Sequence, residues 1–142
     1  MIHFFEEDIS RPKLDYDSIS IWVQSVVESK GFVLADVSYI FCSDEYLYKL
    51  NKEYLNHVYY TDIITFNYND EKFISGDLFI SVDRVLENAK NLEIENNQEF
   101  LRVMIHGILH LLGYDDKLNE EQKTMRLEEN KYIHLFLNAK NV

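Results

Sequence analysis

The chain has 142 residues, the usual length of one domain, so we expect a single folded domain over residues 1–142. Its composition is 46% hydrophobic and 27% charged with a single proline, which excludes the disordered, collagen-like and disulfide-scaffold classes. The 25 acidic and 14 basic residues give a net charge of −11 at pH 7. This charge argues against broad, non-specific binding to nucleic acids or anionic membranes, but it leaves room for a local basic site.

The cysteine count and the N-terminus predict a cytoplasmic protein. Cys42 is the single cysteine, so the chain cannot form an internal disulfide. The first ten residues, MIHFFEEDIS, are acidic where a secretory signal would be basic and then continuously apolar. The longest apolar stretch, residues 104–112, contains two histidines and a glycine and falls short of the ~20 apolar residues that a membrane span requires. We therefore expect a soluble protein with no membrane partner.

The first half of the chain predicts two strands that alternate with two helices. Residues 2–5 form a candidate first strand. Apolar residues at helical spacing predict a helix over about 17–30, and Gly31 follows as its C-terminal stop. A β-branched and aromatic stretch over 33–41 predicts the second strand. Ser43 can then cap a second helix.

The second half of the chain predicts a hairpin followed by three helices. Residues 62–68 and 73–81 have the composition of strands and are joined by a short polar turn, so we expect them to pair antiparallel. Helical patterns follow over residues 85–92, 97–112 and 119–137. The last helix begins with a capping-box variant made by Asn119 and Gln122. The whole pattern predicts an α+β fold in which helices cover a small mixed sheet.

The segment 106–116, HGILHLLGYDD, combines metal-ligand residue types with helical spacing. His106 and His110 are four positions apart, so on a helix their imidazoles project side by side from one face. A catalytic zinc ion binds ligand nitrogens at ~2.0–2.1 Å and takes three protein ligands, leaving a fourth position for water. The two histidines therefore require a third ligand.

The third ligand has two candidates, Asp115 and Asp116. If Gly113 ends the helix in a left-handed conformation, the chain reverses and can carry either carboxylate back toward the histidines. Spacing alone does not choose between them. The alternative is that both histidines are core residues that donate to backbone carbonyls, although that interpretation gives no reason for polar nitrogens to share an apolar face.

The residue after the first histidine distinguishes this motif from that of zinc peptidases. In H-E-x-x-H peptidases this residue is the glutamate that activates water, whereas here it is Gly107. The missing side chain disfavours peptide hydrolysis. A bound metal would still lower the pKa of its water toward ~7 and stabilise a developing oxyanion, which suits phosphodiester chemistry.

Four sequence blocks resemble the YbeY family, single-domain metal-dependent endoribonucleases of bacterial ribosomal RNA maturation. HGILHLLGYDD at 106–116 is similar to the family motif H-G-x-L-H-L-x-G-Y-D-H. Asn51 and Tyr54 match the element N-x-x-Y-R, TDIITF at 61–66 resembles T-D-V-L-S-F, and GDLFIS at 76–81 resembles G-D-I-x-I-S. The resemblance extends from about residue 45 to 130.

The resemblance implies a ligand set and a mechanism. The third zinc ligand of the family is a histidine that aligns with Asp116, so the resemblance selects His106, His110 and Asp116 to hold one metal ion, expected to be zinc, and its catalytic water on a zincin-like helix. A carboxylate in place of histidine lowers the charge of the site by one and favours harder metals somewhat more. Leu55 stands where the family usually has an arginine.

The resemblance also implies a substrate and partners. We expect cleavage within single-stranded RNA during processing of the 3′ end of small-subunit ribosomal RNA, with the ribosome or its small subunit as partner. Arg84 and Arg102 are the predicted phosphate contacts, since a guanidinium matches phosphate oxygens, although each could equally be a salt-bridged surface residue. The aromatic segment His57, Tyr59 and Tyr60 could stack on unpaired bases or form a packed loop.

Two other functions compete with the nuclease interpretation. The charge of −11 and Leu55 favour a metal-binding, ribosome-associated factor with little or no nuclease activity. Two histidines and one carboxylate are also the ligand set of non-haem iron oxygenases. Among the remaining acidic residues, Asp62 and Asp77 are candidate acceptors that orient the histidines. We expect Glu120, Glu121, Glu128 and Glu129 to form a solvated helix face.

Overall fold

The computed structural model describes residues 1–140 of the chain. The elements of this part are β1 (Ile2–Glu6), α1 (Tyr16–Ser29), β2 (Val33–Cys42), α2 (Asp44–Leu55), β3 (Ile63–Asn67), β4 (Phe73–Ser81), α3 (Val82–Leu92), α4 (Asn96–Leu111) and α5 (Asn119–Lys140). The fold is α+β, as the sequence pattern predicts, and the predicted elements appear with only small shifts at their ends. Ser43 caps α2 as predicted, since its side chain accepts the N–H of Tyr46.

The strands form one mixed sheet in the order β1-β2-β4-β3. β2 is parallel to β1 on one side and to β4 on the other. β3 pairs antiparallel with β4, with Ile63 opposite Ile80 and Asn67 opposite Gly76, which confirms the predicted hairpin. The sheet is therefore mixed. β3 lies at one of its edges, and the end of α4 lies beside this strand.

The two faces of the sheet are covered by different helices. Tyr39 and Leu78 belong to the main core, which the sheet shares with α1, α4 and α5. Cys42 points to the opposite face, where it forms a smaller cluster with Leu47 of α2. The buried Tyr39 hydroxyl donates to the carbonyl of Met104 over 2.9 Å, which fixes α4 on the sheet.

Helix α4 is buried on most of its circumference. From Gln98 to His110, every residue is buried except Gln98, Arg102, His106 and His110, which are half-buried. These positions are four apart and lie on one face, so they form a single polar stripe along an otherwise apolar helix. None of the helices in residues 1–140 combines the length and apolar character needed to cross a membrane.

Helix α5 is held in place by contacts with α1. The Trp22 indole N–H donates to the carbonyl of Tyr132 over 2.9 Å, and the Lys30 ammonium lies 3.3 Å from the Glu128 carboxylate. At the start of α5, the Glu121 carboxylate accepts the N–H of Leu118 over 2.9 Å. The predicted capping pair of Asn119 and Gln122 is therefore wrong by one position, because Asn119 already lies inside the helix.

Gly76 marks a close approach within the hairpin. A Cβ atom at this position would lie 2.6 Å from the carbonyl oxygen of Phe66 and 3.1 Å from a methyl group of Leu111. We expect Gly76→Ala to lower the free energy of unfolding by about 1–3 kcal/mol, measured by urea denaturation, because the strand backbone must shift. Gly107→Ala is the comparison and should cost less, since the nearest atoms to its Cβ would be side-chain methyl groups rather than backbone, and alanine favours the helix by about 1 kcal/mol. Equal losses at both positions would contradict this account.

Candidate metal centre

The stripe of α4 places His106 and His110 side by side. Their ring centroids are 4.5 Å apart with an interplanar angle of 81°. The two Nε2 atoms approach to 3.0 Å, so both point to the same position beside the helix. The sequence spacing predicts this convergence. The ring nitrogens face each other and nearby carboxylates. The core-residue alternative would require them to face backbone carbonyls instead.

A sharp turn at the end of α4 brings a carboxylate to the histidines. Gly113 has φ +103°, and the N–H groups of Gly113 and Tyr114 donate to the carbonyls of His110 and Leu109, both over 3.0 Å. This pair of bonds is a Schellman motif, in which a left-handed glycine ends the helix and reverses the chain. The Lys30 ammonium binds the Tyr114 hydroxyl over 2.9 Å and holds the turn against α1.

The reversal selects one of the two candidate carboxylates. Asp116 Oδ2 lies 3.3 Å from Nε2 of His106 and 3.4 Å from Nε2 of His110. Asp115 is exposed and lines a different cavity, together with Glu120 and Thr124. Of the two residues that the sequence spacing leaves open, the structure brings Asp116 to the histidines.

The three donor atoms lie close enough together to hold one metal ion. Ligands at ~2.0–2.1 Å from a tetrahedral ion are separated from one another by about 3.3–3.4 Å. The separations among His106 Nε2, His110 Nε2 and Asp116 Oδ2 are 3.0, 3.3 and 3.4 Å. Three donors occupy three corners of such a tetrahedron and leave the fourth for a reactant. The residues therefore fit a divalent metal ion.

Glu129 orients the first histidine, a role that the sequence pattern does not predict. Its side chain is only 5% exposed, and Oε2 lies 2.6 Å from Nδ1 of His106, which leaves Nε2 free to face the site. The prediction that Glu129 lies on a solvated helix face is wrong. The apolar pattern of α5 carries the missed signal, because Glu129 is four residues from both Met125 and Ile133, which are buried.

An ionic chain extends from Glu129 along the stripe of α4. The Arg102 guanidinium donates to Glu129 Oε1 over 3.0 Å, and its Nε lies 3.5 Å from the carboxylate of buried Glu99. Burial alone would raise the pKa of Glu129, but the hydrogen bonds from His106 and Arg102 hold it below its usual value. Burial likewise opposes the charged form of His106, but Glu129 and Asp116 raise its pKa above the usual value. The contact between His106 and Glu129 therefore favours the charged form of the Glu129 carboxylate.

The structure places the two predicted phosphate contacts in ion pairs. Arg102 belongs to the chain just described, and Arg84 binds the Asp44 carboxylate over 2.6 Å. Neither lines the two cavities that adjoin His106 and Asp116. Asp62, a candidate acceptor for the histidines, lines one of these cavities, and burial raises the pKa of its carboxyl.

Gly107 lies against the sheet. A Cβ atom there would lie 2.9 Å from a methyl group of Ile63 and 3.1 Å from one of Leu78. The space beside Gly107 is therefore filled by side chains of the hairpin, and the position faces the core rather than the metal ligands. A peptidase-like glutamate at this position would therefore meet the side chains of the hairpin.

Two cavities adjoin the candidate site, and both are lined by His106 and Asp116. The first has a volume of 840 Å³ and runs along α5, past Lys123 and Arg126. The second has a volume of 580 Å³ and lies against β3 and the loop before it. Leu55, the departure from the family pattern, lines this second cavity.

The family profile and the similar curated proteins name the same family. The family profile described as Endoribonuclease YbeY matches residues 5–136. A protein named Endoribonuclease YbeY from Parabacteroides distasonis is 47% identical over 132 residues, which cover 93% of each chain. A protein of the same name from Christiangramia forsetii is 44% identical over 137 residues, covering 95% of this chain and 94% of the other. The solution structure of TM1509 from Thermotoga maritima has a TM-score of 0.70 and 25% identity, covering 99% of this chain and 92% of that one.

Proposed function

The chain belongs to the Endoribonuclease YbeY family, and we therefore propose that it is a metal-dependent endoribonuclease that cleaves within single-stranded RNA. We further propose that residues 1–142 form one catalytic domain. The observation that carries this proposal is the convergence of His106, His110 and Asp116 on one point, with donor separations of 3.0, 3.3 and 3.4 Å. Family membership favours this reaction over the oxygenase alternative.

We propose zinc as the metal, held by His106, His110 and Asp116. Two imidazoles and one carboxylate at tetrahedral spacing suit zinc, which accepts both nitrogen and oxygen ligands. A divalent ion bound there supplies a Lewis acid, which lowers the pKa of water and stabilises negative charge developing at a phosphate. Glu129 holds His106 in the tautomer whose Nε2 faces the site, and the Gly113 turn fixes the position of Asp116.

The proposed biological substrate is a precursor of small-subunit ribosomal RNA, cleaved near its 3′ end in the cytoplasm, with the ribosome as partner. The sequence resemblance supports this proposal. Phosphate binding by Arg84 and Arg102 stays a prediction, and for either residue it requires giving up part of an ion pair. One observation favours the alternative of a ribosome-associated factor with little nuclease activity, because apolar Leu55 lines the second cavity where the family usually has arginine.

The proposed reaction can be tested with metal-depleted protein and labelled RNA. After chelator treatment, we expect no cleavage, and added zinc should restore internal cuts in a single-stranded RNA but not in a duplex of the same sequence. A peptide substrate should stay intact because Gly107 provides no base. Gel electrophoresis reads the products. If the RNA stays full-length with zinc, manganese and iron alike, while the metal is bound, the binding-factor alternative is correct.

A further inference from the structure

The candidate metal centre lies where two cavities meet. His106 and Asp116 line both of them, so the centre is approached from the α5 side and from the β3 side. A pocket open on one side would admit the end of a chain. An opening on both sides admits a continuous strand, which is what an enzyme that cuts internally must hold.

The α5 wall of the first cavity presents polar and cationic groups. Asn119, Gln122, Lys123 and Arg126 line it, and their spacing places them on one face of the helix. The side chains of Lys123 and Arg126 are 75% and 57% exposed. Lys123 has only a 3.9 Å contact with exposed Glu120, a kind of pair that constrains a side chain little. Arg126 also lies 3.6 Å from the carboxylate of Glu129, so it is ion-paired like Arg84 and Arg102, but unlike them Lys123 and Arg126 line the cavity.

The second cavity presents an aromatic pair instead. His57 and Tyr59 both line it, with ring centroids 5.2 Å apart, an interplanar angle of 19°, and 3.0 Å between the Tyr59 hydroxyl and His57 Nδ1. The amide of Asn51, which is 1% exposed, donates to the carbonyl of Tyr59 over 3.0 Å and anchors the loop. Exposed aromatic rings in a fixed position are suited to stacking on unpaired bases.

We propose that a single RNA strand runs through both cavities, with its phosphates on Lys123 and Arg126 and an unpaired base on the His57–Tyr59 pair, so that the metal centre faces the bond between the two contacts. This inference rests on the proposed function, because it assumes that RNA is the substrate. It assigns different recognition to the two sides of the cut: charge on one side and base stacking on the other. Because the base must be unpaired to reach the rings, the second cavity is the part that selects against duplex.

The cationic side is tested by salt-dependent binding. Fluorescence anisotropy with a short single-stranded 2′-O-methyl oligonucleotide and zinc-loaded protein measures affinity, and a gel afterwards verifies that the probe is intact. We expect Lys123→Ala with Arg126→Ala to reduce the slope of log affinity against log salt by about 1.4, or about 0.7 for each lost phosphate contact. Lys72→Ala with Lys90→Ala is the control, since it removes the same charge at exposed positions outside both cavities. If both double variants change the slope equally, the proposed path along α5 is overturned.

The aromatic side is tested by Tyr59→Ala. We expect it to weaken binding of the single strand by about 5-fold or more and to leave weak duplex binding unchanged, because stacking requires an unpaired base. Tyr68→Ala is the matched control, because Tyr68 has similar exposure and lies outside the second cavity. Circular dichroism establishes that each variant is folded. Wild-type affinity in folded Tyr59→Ala would overturn the stacking site.

These binding results separate the strand path from the proposed activity. Suppose that the cation and tyrosine variants bind the oligonucleotide more weakly than their controls, as predicted, but the wild-type protein never cleaves RNA. The proposed function then fails, while the path is supported. If wild-type protein cleaves RNA and the cation and tyrosine variants bind like their controls, the function is supported while the path is overturned.

Discussion

His110→Ala is expected to abolish RNA cleavage and to weaken zinc binding by roughly 100-fold or more. The free energy of zinc binding to a four-ligand site in a small domain is ~10–16 kcal/mol, so one ligand contributes about 3 kcal/mol of it. His110 is half-buried on the polar stripe of α4, outside the main core cluster, so the variant should fold. Competition against a chromophoric chelator measures zinc affinity, and the RNA assay measures cleavage.

His134→Ala is the matched control for this substitution. His134 lies on α5, where its ring is exposed and contacts Asn138 rather than the candidate site. The control should bind zinc and cleave RNA like the wild type. Unchanged zinc affinity in His110→Ala would remove this residue from the ligand set, and unchanged cleavage would remove the centre from the reaction.

The second large effect is expected at Glu129. Glu129→Ala removes the acceptor of the His106 Nδ1–H group, so zinc affinity should fall by about 10–100-fold, and it leaves Arg102 with Glu99 as its remaining buried carboxylate. Breaking a buried ion pair on one side also costs about 3–5 kcal/mol of stability. Isothermal titration with zinc and thermal unfolding measure the two effects.

Glu129→Gln keeps the prediction testable if the alanine variant fails to fold. Its amide oxygen can still accept from His106, so its zinc affinity should lie between those of the wild type and Glu129→Ala. Glu128→Gln is the control, because Glu128 is the adjacent residue and binds Lys30 instead of the candidate site. If Glu128→Gln and Glu129→Gln weaken zinc binding equally, the orienting role of Glu129 is wrong.

The elements and the local part of the site could be predicted because they depend on neighbouring residues. Ser43 caps its helix through a residue three positions away, and His106 and His110 share a face because helical geometry fixes their spacing. Gly113 predicts the reversal because its missing Cβ permits a positive φ. The choice between Asp115 and Asp116 was not determined by spacing, since it depends on the dihedral angles of the turn.

The contacts that the sequence pattern does not predict join residues far apart in the chain. Arg84 binds a carboxylate 40 positions away, and His106 binds one 23 positions away. Spacing alone cannot distinguish an arginine that is free to bind phosphate from one that is neutralised inside the fold. Glu129 was missed for a different reason, since it was grouped by charge with neighbouring glutamates although its position follows the apolar stripe of α5.

The packing at Gly107 restricts how this scaffold could acquire new activities. A protein engineer who wanted an amide hydrolase would introduce glutamate after the first histidine, but the methyl groups of Ile63 and Leu78 already fill that space. Smaller residues at both hairpin positions would have to come first, and a charge would still be directed into an apolar interior. The packing of the sheet against Gly107 therefore opposes a change of this scaffold into an amide hydrolase.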